Sequence, residues 1–150
     1  MDFKNLEINY ISHCDAHKSE ICNSSFTECQ IHGCFMDYSN VSGSRWSGAS
    51  FEKMYMEQCR FDEVNLNNSA FDKLSMENSS FVNSGMGGSS FSKVAMNDCS
   101  FTDSNFKNSK FSDVDFSGAE IDESCDISGL TINGISAEEL LKRYKESEET

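Results

Sequence analysis

Histidine, cysteine and carboxylate side chains are the groups in this chain that could hold a metal or move a proton. His13, His17 and His32 fall together near the start, with Cys14 and Cys34 close by, and a tetrahedral zinc shell could in principle be drawn from such a set. The many serines have no histidine or carboxylate placed beside them in a recognisable nucleophile motif. Gly87-Gly88 lacks the strand-loop-helix context of a phosphate-binding loop. Whether any of these groups converge depends on how the backbone positions them.

The backbone is organised by a period of five. From Leu6 to Ile121 every fifth residue is apolar, most cleanly in the run Phe71, Met76, Phe81, Met86, Phe91, Met96, Phe101. Two residues before each centre stands a small or thin residue, such as Ser69, Leu74, Ser79, Ser84 and Ser89. A straight helix would rotate such a set around its axis, and a strand would send alternate members to opposite faces. The spacing therefore predicts a chain that turns a corner every five residues and points one large and one small side chain inward from each side. Phe51-Glu-Lys-Met-Tyr-Met56, Phe71-Asp-Lys-Leu-Ser-Met76 and Phe91-Ser-Lys-Val-Ala-Met96 align at twenty residues, so each coil has four sides.

Units such as Ser104-Asn105-Phe106-Lys107-Asn108 and Val114-Asp115-Phe116-Ser117-Gly118 resemble the pentapeptide-repeat family, over residues 4–134. With the periodicity, the resemblance implies an all-β fold, a right-handed quadrilateral parallel β-helix of about six coils; the handedness comes from the resemblance alone. A short C-terminal α-helix is expected after it. The domain reading is a β-helix over 1–134, then an amphipathic helix and acidic tail over 135–150.

The inward register disposes of most candidate chemistry. Cys14, Cys29, Cys34, Cys59, Cys99 and Cys125 fall at the small inward position and act as small hydrophobes, while Cys22 points outward. The histidines point outward, so Cys14 and Cys34 do not complete a metal shell with them. No catalytic residues, no metal and no cofactor are expected, and the protein reads as non-enzymatic. Trp46 is in register with Phe26 and Leu66 and belongs to the core. The absence of proline fits a chain whose amides are used in ladders between coils.

Both ends depart from the pattern. Lys4, Asn9 and the undersized centre Ala16 make the first coil imperfect. After Ile121 the small/large pair returns one residue late as Cys125 and Ile127, which predicts a one-residue bulge at Asp122-Glu123-Ser124. Ser136-Ala-Glu-Glu139 is a capping box, and Ile135 is placed to staple against Leu140. Ala137, Leu140, Leu141 and Tyr144 form a stripe that either covers the open end of the coil or makes a dimer contact, as C-terminal segments do in some dimeric members of the family. Glu146, Glu148 and Glu149 form a solvated tail.

The net charge of −13 argues against direct binding of nucleic acid or of an anionic membrane. With no apolar run of spanning length, no signal peptide and an odd number of thiols, the expected compartment is the cytoplasm. On the surface, Asp37, Glu57 and Glu77 stack into an acidic ladder continued by Asn97, an arrangement of like charges that a purely structural face avoids. Phe35 and Tyr55 occupy an outward column beside it, with Tyr38 on the same side. These residues form the candidate partner surface, although stacked aromatics can also simply stabilise neighbouring coils. Lys53, Lys73 and Lys93 beside Glu52 and Asp72 read as a solvated salt-bridge face.

The expected function is a protein-interaction module or scaffold of unknown partner. The resemblance supplies an alternative, since some family members mimic DNA and bind DNA gyrase or topoisomerase IV. The partner is then a type II topoisomerase, and the protein is either a monomer or a homodimer joined through its C-terminal helix.

Overall fold

The computed structural model describes residues 9–148 and the backbone of the strand at 2–4. Leu6, Glu149 and the Lys4 side chain lie outside the described residues.

Two parallel sheets face one another across the coil. One contains β1 (Asp2–Lys4), β3 (Glu20–Cys22), β5 (Asn40–Ser42), β7 (Arg60–Asp62), β9 (Ser80–Val82), β11 (Ser100–Thr102) and β13 (Glu120–Ile121). The other contains β2 (Tyr10–Ser12), β4 (Gln30–His32), β6 (Ser50–Glu52), β8 (Ala70–Asp72), β10 (Ser90–Ser92), β12 (Lys110–Ser112) and β14 (Thr131–Ile132), and ends in β15 (Ile135–Ser136). The remaining two sides are single-residue bridges in the same register, Phe35↔Tyr55↔Ser75↔Ala95 on one and Arg45↔Asn65↔Gly85↔Asn105 on the other. The fold is a parallel β-solenoid of about six four-sided coils, as the spacing predicts.

The five-residue unit makes this shape because its corner is a tight turn. The second residue after each centre lies in the left-handed region, from Gly48 (φ 69) to Lys53 (φ 52), Asn68 (φ 58) and Lys93 (φ 55). At several corners the following small residue closes the turn through its amide, as in Ala49 to the Trp46 carbonyl at 3.1 Å and Ser109 to Phe106 at 2.9 Å; at others that amide goes to a serine hydroxyl of the next coil, as in Ser69 to Ser89. That geometry belongs to a turn needing positive φ at its third position, normally a glycine or asparagine task. Here lysine, glutamate and tyrosine also occupy it, held there by ladders on both sides.

Inside, the centres stack in columns. Phe51, Phe71 and Phe91 lie 4.7 and 4.5 Å apart and within 2° of parallel. Phe61 and Phe81 repeat the arrangement on the opposite sheet at 4.6 Å. Trp46 is 1% exposed and packs on Phe26 and Phe51, so its place is the core.

The small inward serines do more than leave room. Ser79 Oγ donates to the Met56 carbonyl at 2.8 Å and accepts the Cys59 amide at 3.0 Å. Ser89 repeats this toward Leu66 and Ser69, and Ser39 toward Ala16 and Ser19. Each such hydroxyl satisfies a corner carbonyl and an amide of the preceding coil that burial would otherwise leave unpaired. Cys59 and Cys99 do the donating half with sulfur, toward Met36 and Met76.

The register slips where the sequence predicts. Asn105 bridges Asp126 and Phe111 pairs with Ile132, an offset of 21 residues instead of 20. Leu130 is buried in the new register. Asn133-Gly134, both at positive φ, then turns the chain into β15, which pairs antiparallel with β14 and covers that sheet edge. α1 (Ala137–Glu148) starts with the Glu139 amide on Ser136 Oγ at 3.4 Å.

Candidate functional site

The side of the solenoid between the two sheets carries the aromatic and acidic columns. Phe35 and Tyr55 are each 49% exposed and their rings lie 5.1 Å apart, 6° from parallel. Tyr38 is at the next corner, held at φ 60, with His17 edge-on at 5.2 Å and its hydroxyl accepting Gln58 Nε2 at 3.0 Å. The three aromatics expected to share a side therefore do so.

The acidic ladder is less uniform than its spacing implies. Asp37 Oδ1 accepts the Glu57 amide at 2.8 Å, and its other oxygen lies 4.0 Å from His17 Nδ1. Glu57 leans across to the next coil and accepts Ser75 Oγ at 2.7 Å. The Glu77 carboxylate takes no hydrogen bond or ion pair among the described residues. Asn97, which continues the column, donates to Asp115 at 2.8 Å. His17 and Ser75 are the members that sequence reasoning missed; the same twenty-residue spacing, followed one coil further in each direction, could have found both.

Elsewhere the expected chemistry stays dispersed. His32 Nδ1 faces Glu52 at 3.3 Å and meets His13 edge-on at 5.7 Å. No group of three or more histidine, cysteine, aspartate or glutamate residues converges as a metal shell among the described residues. The thiols are free, and burial pushes Cys59 up to about 12 and Cys99 to about 11. Lys53 pairs with Glu52 at 3.4 Å and Lys73 with Asp72 at 3.2 Å, both in solvent.

At the far end, α1 buries only Ala137. Leu140, Leu141 and Tyr144 remain 39, 49 and 61% exposed, and Ile135 is 47% exposed. An apolar groove of about 530 Å³ runs between the helix and the last coil, with Ile121, Ile127, Leu130 and Ile132 below and Leu140 and Leu141 above. The helix lies over the end of the solenoid without sealing it. No helix among the described residues is long and apolar enough to cross a membrane.

Four-sided coils of five-residue units with mostly flat, polar faces define a repeat solenoid of the pentapeptide class. The family model described as a pentapeptide repeat region matches residues 54–136, more than half of the chain, and the chain belongs to that family. Among solved structures, the pentapeptide repeat protein Rfr23 from the cyanobacterium Cyanothece 51142 superposes with a TM-score of 0.63 at 12% identity. The match covers 78% of this chain and 90% of that one, and it shows the fold alone. QnrB1, a plasmid-mediated fluoroquinolone resistance protein, aligns over 97% of this chain and 98% of its own at 14% identity, with a TM-score of 0.47. HetL from the cyanobacterium Nostoc sp. strain PCC 7120, involved in heterocyst differentiation regulation, covers 88% and 90% at 9% identity and a TM-score of 0.34. No curated protein matches the sequence.

Proposed function

We propose that the protein is a non-enzymatic protein-interaction module that meets its partner through the side carrying Phe35, Tyr38, Tyr55, Asp37, Glu57 and Glu77. The observation that carries this reading is the half-exposed Phe35–Tyr55 stack. The core already has its own aromatic columns, and aromatic side chains, tyrosine among them, are enriched where protein interfaces concentrate their binding energy. The free thiols fit a reducing compartment, and we place the protein in the cytoplasm. The test is affinity capture with the intact chain and with a Phe35→Ala/Tyr55→Ala variant that keeps its melting temperature within a few degrees. A partner lost only by the variant supports the reading; identical captured proteins end it.

A second reading rests on the net charge of −13 and the acidic ladder. It makes the solenoid a DNA mimic for DNA gyrase or topoisomerase IV, lengthened by pairing through Leu140, Leu141 and Tyr144. About six coils span roughly 30 Å, less than one turn of duplex, so the mimic needs the dimer. A supercoiling assay with and without a fluoroquinolone tests it. Inhibition or drug protection at low micromolar protein supports the mimic, and no effect at high excess removes it.

A further inference from the structure

The two sheets end differently. The sheet that contains β14 is finished by β15, which pairs antiparallel along its last strand. The opposite sheet stops at β13, and among the described residues no strand follows it on the open side. The amides of Glu120 and Asp122 donate back to the Cys99 and Phe101 carbonyls at 2.8 and 2.9 Å. Backbone groups alternate sides along a strand, so Ile121 between them turns its N–H and C=O toward the open side. Its side chain also lacks a neighbour. Phe61, Phe81, Phe101 and Ile121 form one ladder column, yet Phe101 is 1% exposed and Ile121 is 38% exposed, because the rung that would cover it is missing. The apolar groove of about 530 Å³ opens beside this edge, with Ile121 below and Leu140 and Leu141 above. A large side chain one rung beyond Ile121, about 4.8 Å on, falls in that groove.

The charges around the edge are of one sign. The charged residues lining the groove are Asp122 and Glu123, and those lining a hollow of about 460 Å³ against β11 and β13 are Glu120 and Asp122. None of the three pairs with a base among the described residues, and Lys142 and Arg143 of α1 are engaged by Glu146 and Glu139. Glu120 and Asp122 flank Ile121 and face the other way from it, as alternate residues of a strand do. Edge-to-edge pairing of two copies would lay these carboxylates against their own kind, which cross-strand pairs disfavour. A strand with basic residues on that face meets opposite charge instead.

We propose that the open edge of β13 is a docking site for an extended segment of a partner protein, which adds as a further strand and carries a large apolar residue over Ile121 between two lysine or arginine residues facing Glu120 and Asp122. The ladder bonds supply the attachment, the groove selects the apolar residue and the carboxylates select its neighbours. This is a second surface, and it does not depend on the reading of the Phe35–Tyr55 side.

The test is an NMR titration of the isotope-labelled full chain with a capped Thr-Lys-Phe-Lys-Thr peptide, compared with Thr-Glu-Phe-Glu-Thr and Thr-Lys-Ala-Lys-Thr. With the first, the Ile121 amide should shift, and near saturation its hydrogen exchange should slow about tenfold. The glutamate and alanine peptides should each bind about fivefold or more weakly, through loss of two cross-strand charge pairs or of one buried aromatic side chain. Of two peptides N-methylated on alternate residues, the one whose methyl groups point at β13 should fail to bind and the other should bind. Glu120→Lys/Glu123→Lys, at two exposed positions, should remove the preference for lysine over glutamate. Equal binding of the lysine and glutamate peptides, equal effects of the two methylations, or an unchanged Ile121 amide up to millimolar peptide overturns the proposal. So does an Ile121 amide already protected in the peptide-free chain together with a dimer by light scattering, since the edge would then belong to a second copy.

Discussion

Ser79 Oγ is held between two coils, donating to the Met56 carbonyl at 2.8 Å and accepting the amide of Cys59 at 3.0 Å. A buried side chain of minimal volume thus satisfies two backbone groups at once. Ser79→Ala keeps the volume and leaves both unpaired, so unfolding free energy should fall by about 1–3 kcal/mol. Ser79→Cys should cost less, because Cys59 and Cys99 already make the donating bond with sulfur. Urea midpoints of the three proteins check this, and equal midpoints for Ser79→Ala and the parent would mean the bond contributes nothing net.

Lys93 sits at φ 55 with no ion pair among the described residues. A side chain in the left-handed region costs about 1–2 kcal/mol, and glycine's extra freedom in the unfolded chain returns about 0.5–1 of that. Lys93→Gly is therefore expected to stabilise by up to about 1 kcal/mol. Gly88→Ala should do the opposite. Gly88 is at φ 69, and an added Cβ would meet Asn68 Oδ1 at 2.5 Å. Thermal melts of the pair should shift in opposite directions.

The buried thiols make stability fall in alkali. Burial holds Cys59 at about 12 and Cys99 at about 11, above the ordinary 9.0. Their contribution is complete below pH 9, where folded and unfolded chains are both protonated. Between pH 9 and about 11–12 the unfolded chain releases these protons and the folded chain does not, so stability declines with rising pH. Cys59→Ser should flatten part of that decline in denaturant titrations from pH 8 to 11. At neutral pH, alkylation of the native protein read by mass spectrometry should mark the outward Cys22 well before Cys59 or Cys99.

The end groove bears on oligomeric state. If Leu141 and Tyr144 bury against a second copy, light scattering should give a dimer at tens of micromolar, and Leu141→Glu/Tyr144→Glu should return the monomer without lowering the melting temperature. A monomeric parent would leave the groove uncovered by its own kind.

Much of this molecule could be read in the sequence because a single length, five residues, sets both the burial and the turning. Phe51, Phe71 and Phe91 are placed by counting, and even the slip after Ile121 shows itself because Cys125 and Ile127 restore the pair one residue late. What the count does not give is what a polar side chain does once its column is known. Asp37 and Glu57 look equivalent in the sequence. One is bound into the ladder through the Glu57 amide and the other crosses to Ser75, a difference that depends on side-chain length and on the neighbour one rung away. The partial cover by α1 was equally illegible. The stripe Ala137, Leu140, Leu141, Tyr144 specifies an apolar helix face, but not that Ala137 alone of it is buried.

A four-sided coil also behaves as a dial. Each five-residue unit advances the chain a quarter turn about the solenoid axis, and the inserted residue at 122–124 is absorbed without advancing it further, since Ile132 returns to the column of Phe111. The azimuth of the terminal helix relative to the Phe35–Tyr55 side is therefore set by a whole number of units between them. Excising twenty residues, such as 70–89, would shorten the rod and leave that angle unchanged. Excising five would swing the helix and its groove through about 90° and break every column that crosses the cut. Chain length between two surface features of this protein thus changes in steps of one coil if their relative direction is to be kept.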